Sequence, residues 1–306
     1  YWLSLQYPQT YIHWPKYRKG GRVSYAMANR SYRGRVIGSY NSGLLRNGWA
    51  YSVVASRRFG DEGFKEGTLY DANSFFASVE NKLNARHSVN LSAFYTPNRR
   101  GRSTAVTQEV KDLKGVQYNP NWGLQEGEIR NSTIHEVKEP VILLNHYWGV
   151  SDKTNINTNI GYQFGNIGST RIDNGGTRLV MVNGQEAYLG GARNPFGNYY
   201  QRLPSFFLQD ENPSAFDFQQ AYLAEQEFLK DGQLDWAALY EANTNETNVA
   251  NGGNSVYVVQ EDRTDDTQIT VNSIVNSSIS ENILLIAIES LKKASATSII
   301  TPWMQR

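Results

Sequence analysis

Apolar and polar residues alternate with a period of two along much of the chain. In Thr154–Phe164, one face consists of Ile156, Thr158, Ile160, Tyr162 and Phe164. The opposite face consists of Asn155, Asn157, Asn159, Gly161 and Gln163. Because successive side chains of a β-strand point to opposite faces, this pattern predicts a strand with one apolar face and one strongly polar face.

Seven segments predict antiparallel strands that pair in chain order. They lie near residues 22–41, 48–60, 67–82, 87–98, 141–149, 154–167 and 256–278. Short links that carry turn residues alternate with longer ones, of which Asn98–Pro140 and Ile167–Ser255 are the longest. Antiparallel neighbours run in opposite directions, so this order places tight turns at one end of the sheet and large loops at the other.

The expected fold is therefore all-β: an antiparallel up-and-down meander of about seven strands, forming a partial transmembrane β-barrel with long extracellular loops. Ser214 and Asp235 are residue types that cap helix N-termini, so we expect one or two short helices in the second long loop. Aromatic rings near strand ends, such as Trp49, Tyr95 and Trp148, fit a girdle at a membrane interface. The alternative is a soluble β-domain with these rings in its core.

A barrel of this kind fixes which residues face lipid. We expect the apolar set to face lipid and the amide set to face the lumen, because hydrocarbon rejects unpaired amides whereas a polar lumen hydrates them. The apolar set is Trp49, Val53, Val89, Leu91, Ile156, Ile160 and Tyr162, and the amide set is Asn90, Asn155, Asn157 and Asn159.

Composition excludes several classes of protein. A chain with 12% aromatic residues, 26 glycines and a mean hydropathy of −0.54 is unlike a helical bundle. The net charge of +1 gives no basic surplus for a nucleic-acid partner. The absence of cysteine excludes disulfides, cysteine zinc sites and a thiol nucleophile. The longest apolar run, Ile283–Ile288, is too short for a membrane helix, and Tyr1 does not open a signal peptide.

Catalytic signals are sparse. The sequence has no phosphate-binding loop, no H-E-x-x-H helix and no G-x-S-x-G elbow. Its four histidines, at positions 13, 87, 135 and 146, do not have metal-ligand spacing. Acidic pairs such as Asp61-Glu62 and Asp265-Asp266 lie in loops or at strand ends, where solvated carboxylates are ordinary. We therefore expect no enzymatic activity, no cofactor and no metal site.

Large rings also recur in the long loops. They occur in Tyr118–Gly123 and in Asn198–Phe207, next to amide side chains. Exposed rings beside amides suit the capture of sugars or peptides, and packing of loop against loop explains them equally well. The candidate ligand contacts are Tyr118, Trp122, Tyr199, Tyr200, Phe206 and Phe207.

Taken together, several segments resemble the barrel of TonB-dependent outer-membrane receptors of the Bacteroidetes type. They are Arg22–Tyr32, Asn47–Ser52, Ser56–Phe59, Glu66–Asp71, His87–Phe94, Thr107–Val110, Tyr118–Gly123, His146–Trp148, Tyr162–Gly165, Tyr199–Ser205, Trp236–Asn243 and Thr267–Asn276. The resemblance covers residues 18–282. It implies a 22-stranded barrel around an N-terminal plug in the outer membrane, which imports a scarce or bulky ligand and draws energy from the TonB complex through the plug. External loops and the plug apex supply the ligand contacts.

The chain departs from this family in length and at both ends. It is too short for 22 strands, and no plug or TonB box is recognisable. Residues 1–17 match nothing in the family, and the tail, residues 283–306, has a helix-like pattern where a strand is expected. A truncated or frame-shifted reading accounts for these departures and implies a segment that cannot transport alone, without the plug and remaining strands of its parent. Two alternatives are a surface or secreted β-rich carbohydrate-binding protein and a porin- or adhesin-type barrel.

Overall fold

The computed structural model describes residues 19–173, 178–189, 200–280 and 283–303. Antiparallel β-strands dominate this part of the chain, with short helices between them. The strands are β1 (Gly20–Met27), β2 (Gly34–Asn41), β3 (Trp49–Gly60), β4 (Tyr70–Lys82), β5 (His87–Tyr95), β6 (Asn98–Gly101), β7 (Trp122–Gln125), β8 (Glu128–Asn131), β9 (Ile134–Lys138), β10 (Val141–Ser151), β11 (Thr154–Asp173), β12 (Arg178–Val182), β13 (Gln185–Leu189), β14 (Val258–Ser280) and β15 (Ile283–Trp303). The helices are α1 (Gln108–Lys114), α2 (Pro204–Phe207), α3 (Ala215–Lys230), α4 (Trp236–Thr244) and α5 (Glu246–Ala250).

One large sheet forms an up-and-down meander. Its strand order is β1-β2-β3-β4-β5-β10-β11-β14-β15, and every neighbouring pair is antiparallel. Near Pro97 and Pro140 the sheet continues through β6 and β9, which pair with each other and bridge β4 to β11. Two separate hairpins, β7–β8 and β12–β13, lie in the long loops. The predicted meander and its pairing in chain order are confirmed.

Two predictions about strands differ from the structure. The segment 22–41 is a hairpin of β1 and β2 rather than one strand, because Asn29 and Ser31 are turn formers and the chain reverses between Ala28 and Arg33. The helical character expected after Asn282 is wrong, because β15 pairs with the whole length of β14. A strand edge supplies a backbone partner for every other residue, and the aliphatic run Ile283–Ile288 has high β-propensity.

The outer face of the sheet is an exposed apolar belt. The register aligns Tyr51, Val79, Leu91, Leu144, Ile160 and Val271 in one row, and Val53, Ala77, Ala93, Ile142, Tyr162 and Ile269 in the next. Most of the large side chains in these rows are exposed; Val53, Leu91 and Ile160 are 46%, 51% and 42% accessible. The belt ends near the Arg57–Asp71 ion pair on one side and near Trp49, His146 and Trp148 on the other.

The inner face carries hydrogen-bonded polar side chains. Ser78, Asn90, Ser92 and Asn157 are buried there. The Asn90 amide donates to Ser78 Oγ at 2.8 Å and accepts from Ser92 Oγ at 2.8 Å, and Asn159 Nδ2 donates to Asn272 Oδ1 at 2.7 Å. Closer to the long loops, the same face carries an apolar row of Val54, Phe76, Phe94 and Val141.

The links fall at two ends, as the alternation of lengths predicts. Residues 42–48, 83–86 and 152–153 connect strands at the turn end, whereas residues 28–33, 61–69, 96–140 and the described residues between β11 and β14 lie at the loop end. The second long loop contains four described helices where one or two were expected, and the first contains α1. No described helix is long and apolar enough to cross a membrane.

Candidate functional site

The loops at one end of the sheet pack together into a layer, hereafter the loop layer, formed by residues 61–69, 102–133 and 200–257. It has two apolar clusters. The first contains Val180, Leu234, Trp236, Leu239, Ala242, Val256 and Tyr257, and the second contains Val110, Tyr118, Leu203 and Phe228. The first cluster lies within the second long loop. The second cluster joins Val110 and Tyr118 of the first long loop to Leu203 and Phe228 of the second, as the prediction that the two loops lie together at one end requires.

Buried asparagines tie the segments of this layer together. Asn119 and Asn121 are fully buried, and Asn131 nearly so. The Nδ2 of Asn119 donates to the Glu66 carbonyl at 2.8 Å, and the Nδ2 of Asn131 donates to the Gly67 carbonyl at 2.9 Å. Side-chain amides thus satisfy backbone carbonyls that have no strand partner, which allows irregular loops to be buried.

The predicted contact Tyr118 lies inside the layer. Its side chain is 1% exposed, packs edge-on against Phe228 at 5.6 Å and donates its hydroxyl to the Gly232 carbonyl at 2.6 Å. This is the loop-on-loop alternative stated for the aromatic segments. Its burial leaves the ring no free face, which for Tyr118 favours loop packing over ligand contact.

Trp122 is half-buried and also joins loops. Its ring lies against Gly67, where an added Cβ would collide with the indole, and the left-handed φ of +64° at Gly67 further favours glycine. The Trp122 carbonyl accepts from Leu234 N at 2.9 Å. Next to it, the Arg130 guanidinium lies 3.8 Å from the Trp236 ring and donates to Tyr240 Oη at 2.8 Å. The β7–β8 hairpin is thereby fixed to α4.

The remaining predicted rings lie around α2. Tyr200 is 47% exposed and contacts Phe206 edge-on at 6.1 Å, and Phe206 contacts Phe207 at 5.4 Å. The Glu109 carboxylate accepts from Ser205 N at 3.0 Å, which holds α2 against α1. Tyr199 lies outside the described residues. The structure thus brings Tyr200, Phe206 and Phe207 together.

Helix α3 presents apolar rings that the sequence reasoning did not select. Ala221 and Phe228 are buried on one side of α3, while the opposite side exposes Phe216, Phe218, Tyr222, Leu223 and Leu229. Gln219 and Gln226 lie between these residues. Plotting Ala215–Lys230 at 100° per residue separates the two sides, so the 3.6-residue period contained this signal. The sequence reasoning treated these residues only as a helical segment.

The start of α3 is fixed by a reciprocal cap. Ser214 Oγ accepts from Asp217 N, and the Asp217 carboxylate accepts from Ser214 N at 2.7 Å. Hydrogen bonds from the Ser214 hydroxyl and backbone hold the pKa of Asp217 below its usual value. At the other end, Lys114 Nζ donates to the Leu229 carbonyl at 2.7 Å, and burial lowers the pKa of Lys114. These contacts hold α3 on the layer with its aromatic side outward.

Among the described residues, no group of three or more histidine, cysteine, aspartate or glutamate side chains is placed to hold an ion. The loop layer offers exposed aromatic and amide side chains for contact with a ligand.

Comparison with known proteins gives structural neighbours only. No family model matches the sequence, and no curated protein matches it. The chain is similar to the siderophore receptor PiuA from Acinetobacter baumannii, with 10% identity, a TM-score of 0.42, and coverage of 94% of this chain and 48% of that one. It is also similar to the ferripyoverdine receptor of the outer membrane of Pseudomonas aeruginosa, with 11% identity, a TM-score of 0.40, and coverage of 95% and 39%. The ferric citrate transporter FecA gives 9% identity, a TM-score of 0.38, and coverage of 92% and 40%.

The chain spans less than half the length of each of these structures.

Proposed function

We propose that this chain is a segment of the barrel wall of an outer-membrane TonB-dependent receptor that takes up a scarce or bulky ligand. Its partners are then outer-membrane lipid, the plug and remaining strands of the parent receptor, the TonB complex acting through that plug, and an external ligand of unknown identity. In this role the chain is not an enzyme. The motif segments described from the sequence support the family, and the structure supports the role through the two faces of the sheet.

The exposed apolar belt carries the proposal. On β3 it runs from Trp49 to Arg57, nine residues and eight steps, or roughly 27 Å along the strand at about 3.4 Å per step. Strands tilted by about 40° would reduce this to roughly 20 Å, close to the apolar band of membrane barrels. A water-soluble sheet would bury such a face under another layer. In the described part of the chain no layer covers it, and lipid is the solvent that such a surface fits.

The inner face distinguishes a receptor from a porin. A water-filled pore needs a polar lining, and the amides and hydroxyls near the turn end provide one. The apolar row of Val54, Phe76, Phe94 and Val141 does not, because it needs a packed neighbour in the lumen. A plug inside the parent barrel would be such a neighbour, so this row favours the plugged receptor over the porin or adhesin.

The free edges of the sheet support a role as part of a larger wall. Within the described residues, β1 pairs only with β2, and β15 only with β14. Unpaired strand edges are not tolerated in hydrocarbon, because their backbone groups have no partner there. Further strands must therefore complete the wall, and the segment alone would not transport.

The loop layer would form the external, ligand-collecting face. We propose that Tyr200, Phe206 and Phe207, together with the exposed side of α3, contact the ligand, and that Trp122 acts mainly by holding the loops. Tyr199 is retained as a candidate from the sequence. In the parent receptor, Tyr200→Ala or Tyr222→Ala should reduce ligand uptake while the amount of folded barrel stays unchanged. Normal uptake in both variants would show that these rings do not contact the ligand.

Single-cysteine labelling tests the membrane role. The sequence has no cysteine, so each introduced cysteine is the only thiol that can react. In lipid vesicles, Val53→Cys and Ile160→Cys should react with a lipid-phase probe and resist water-soluble maleimide. Their neighbours Ser52→Cys and Asn159→Cys, on the inner face, serve as matched controls and should resist the lipid-phase probe. Rapid maleimide labelling at position 53 or 160, with extraction that needs no detergent, would favour the soluble carbohydrate-binding alternative.

A further inference from the structure

Two histidines meet on the outer face at the turn end of the sheet, away from the loop layer. His87 is the first residue of β5 and lies opposite Trp148 of β10 in the strand register. His146 precedes Trp148 by two residues and therefore projects from the same face. The link at residues 83–86 fixes the start of β5, because Asn84 Oδ1 accepts from His87 N at 3.0 Å.

The two imidazoles are close and share an orientation. His87 Nδ1 lies 3.0 Å from His146 Nε2, the ring planes differ by 2°, and the ring centres are 5.2 Å apart. The two nitrogens thus lie between the ring centres, and each ring aims one nitrogen at the other. When both rings are neutral, one nitrogen carries the proton of this hydrogen bond and the other accepts it. The Trp148 ring stacks on His87 at 5.6 Å.

We propose that His87 and His146 form a two-imidazole site for a divalent transition-metal ion of the Cu²⁺ or Ni²⁺ type. Metal–imidazole bonds are about 2.0–2.1 Å long. An ion at that distance from two nitrogens 3.0 Å apart subtends roughly a right angle, which matches neighbouring positions of a square-planar or octahedral complex. The direction from each nitrogen to the ion lies roughly 40° from the line between the two nitrogens, so each ring must turn by about that angle to aim its lone pair at the ion.

Binding at this site is a simple exchange. Two metal–nitrogen bonds form and water fills the remaining positions. The proton between the two neutral rings moves through solvent to the other nitrogen of its own ring, so both imidazoles bind as neutral ligands. No electron transfer is involved. The two histidines sit on paired strands, so their separation is set by the backbone rather than by a mobile loop, which lowers the entropy cost of bringing them to one ion. Among first-row ions, Cu²⁺ is expected to bind most tightly.

The test uses the full chain in detergent, titrated with CuCl₂ at constant pH near neutrality. We expect one tightly bound equivalent, with an electron paramagnetic resonance spectrum that shows coupling to two imidazole nitrogens. Because Trp148 is adjacent, part of the tryptophan fluorescence should be lost saturably, and Trp148→Phe should abolish that part. Each of His87→Gln and His146→Gln should weaken binding by at least about tenfold, since one of two linked ligands is lost.

His135→Gln is the matched control, because His135 is also a half-buried strand histidine but contacts Ser169 Oγ at 2.9 Å instead of another histidine. It should leave Cu²⁺ binding unchanged. A wild-type spectrum without two-nitrogen coupling would overturn the proposal, and this measurement needs no variant to fold. Equal loss of affinity in His135→Gln and His146→Gln would also overturn it.

Discussion

At the residue scale, Asn90 is the centre of the polar network on the inner face. It is 3% exposed and also accepts from Asn145 Nδ2 at 3.1 Å, besides its bonds to Ser78 and Ser92. Asn90→Ala should lower the free energy of unfolding by about 1–3 kcal/mol, because its buried partners lose their hydrogen bonds. Urea unfolding in detergent measures this change. Asn155→Ala, at an exposed end of β11, is the control and should change stability by less than about 0.5 kcal/mol.

Tyr118 tests the packing of the loop layer. Tyr118→Phe keeps the ring but removes the hydroxyl that donates to Gly232, so it should cost about 0.5–1.5 kcal/mol of loop-layer stability. Limited proteolysis between residues 102 and 133 should become faster as a result. Tyr222→Phe, on the exposed side of α3, should leave the cleavage rate unchanged. Equal rates in wild type and Tyr118→Phe would mean that this hydrogen bond does not hold the loops.

The sequence could not have predicted the burial of Tyr118 or Asn119. A tyrosine or asparagine in an irregular segment has the same local signature whether it is exposed or covered by another loop. The covering residues, Phe228 and Glu66, are distant in sequence, so their contact depends on how the two long loops dock. Alternation within a strand, by contrast, is a local property. The sequence alone therefore predicts which residues of Trp49–Ala55 and of Ile156–Phe164 share a face of the sheet.

At the element scale, β15 is paired like its neighbours but does not share their alternation. In register with β14, it places Glu289 and Lys293 on the apolar outer face, and Ile286 and Ile288 on the inner face. The absence of period-two alternation is why the sequence predicted a helix-like tail. Pairing with β14 depends on backbone hydrogen bonds, and the local pattern of apolar and polar residues in β15 does not predict it.

Under the proposed function, Lys293 lies opposite Ile269 within the belt that faces lipid. Lys293→Leu should therefore increase the free energy of unfolding in lipid vesicles by about 2–4 kcal/mol, because it removes the cost of a lysine facing the bilayer midplane. Its neighbour Lys292 is on the inner face, so Lys292→Leu is a matched control and should bring no such gain. Urea titration in vesicles compares the two. Equal effects would show that β15 does not enter the membrane in this register.

At the scale of the whole molecule, the large sheet has an apolar outer face and a polar inner face. It also has short turns at one end and long loops at the other. The direction from the outer face to the inner face is perpendicular to the direction from the turn end to the loop end. One orientation of the sheet in a membrane can therefore place the apolar belt against lipid and the two ends on opposite sides of the bilayer. Link lengths in the sequence were enough to predict the two ends. The loop layer adds what the sequence did not show: both loops fold against each other and expose the aromatic side of α3.

This orientation predicts which residues are accessible from outside the cell. Under the proposed function, the loop layer should face the exterior and the turns between strands should face the periplasm. Phe218→Cys on α3 should therefore react with a membrane-impermeant maleimide on intact cells. Asp152→Cys, in the exposed turn between β10 and β11, should react only after the outer membrane is permeabilised. Because both side chains are solvent-exposed in the structure, the barrier between them must be the membrane. Labelling of Asp152→Cys on intact cells, with Phe218→Cys protected, would mean that the loop layer faces the periplasm.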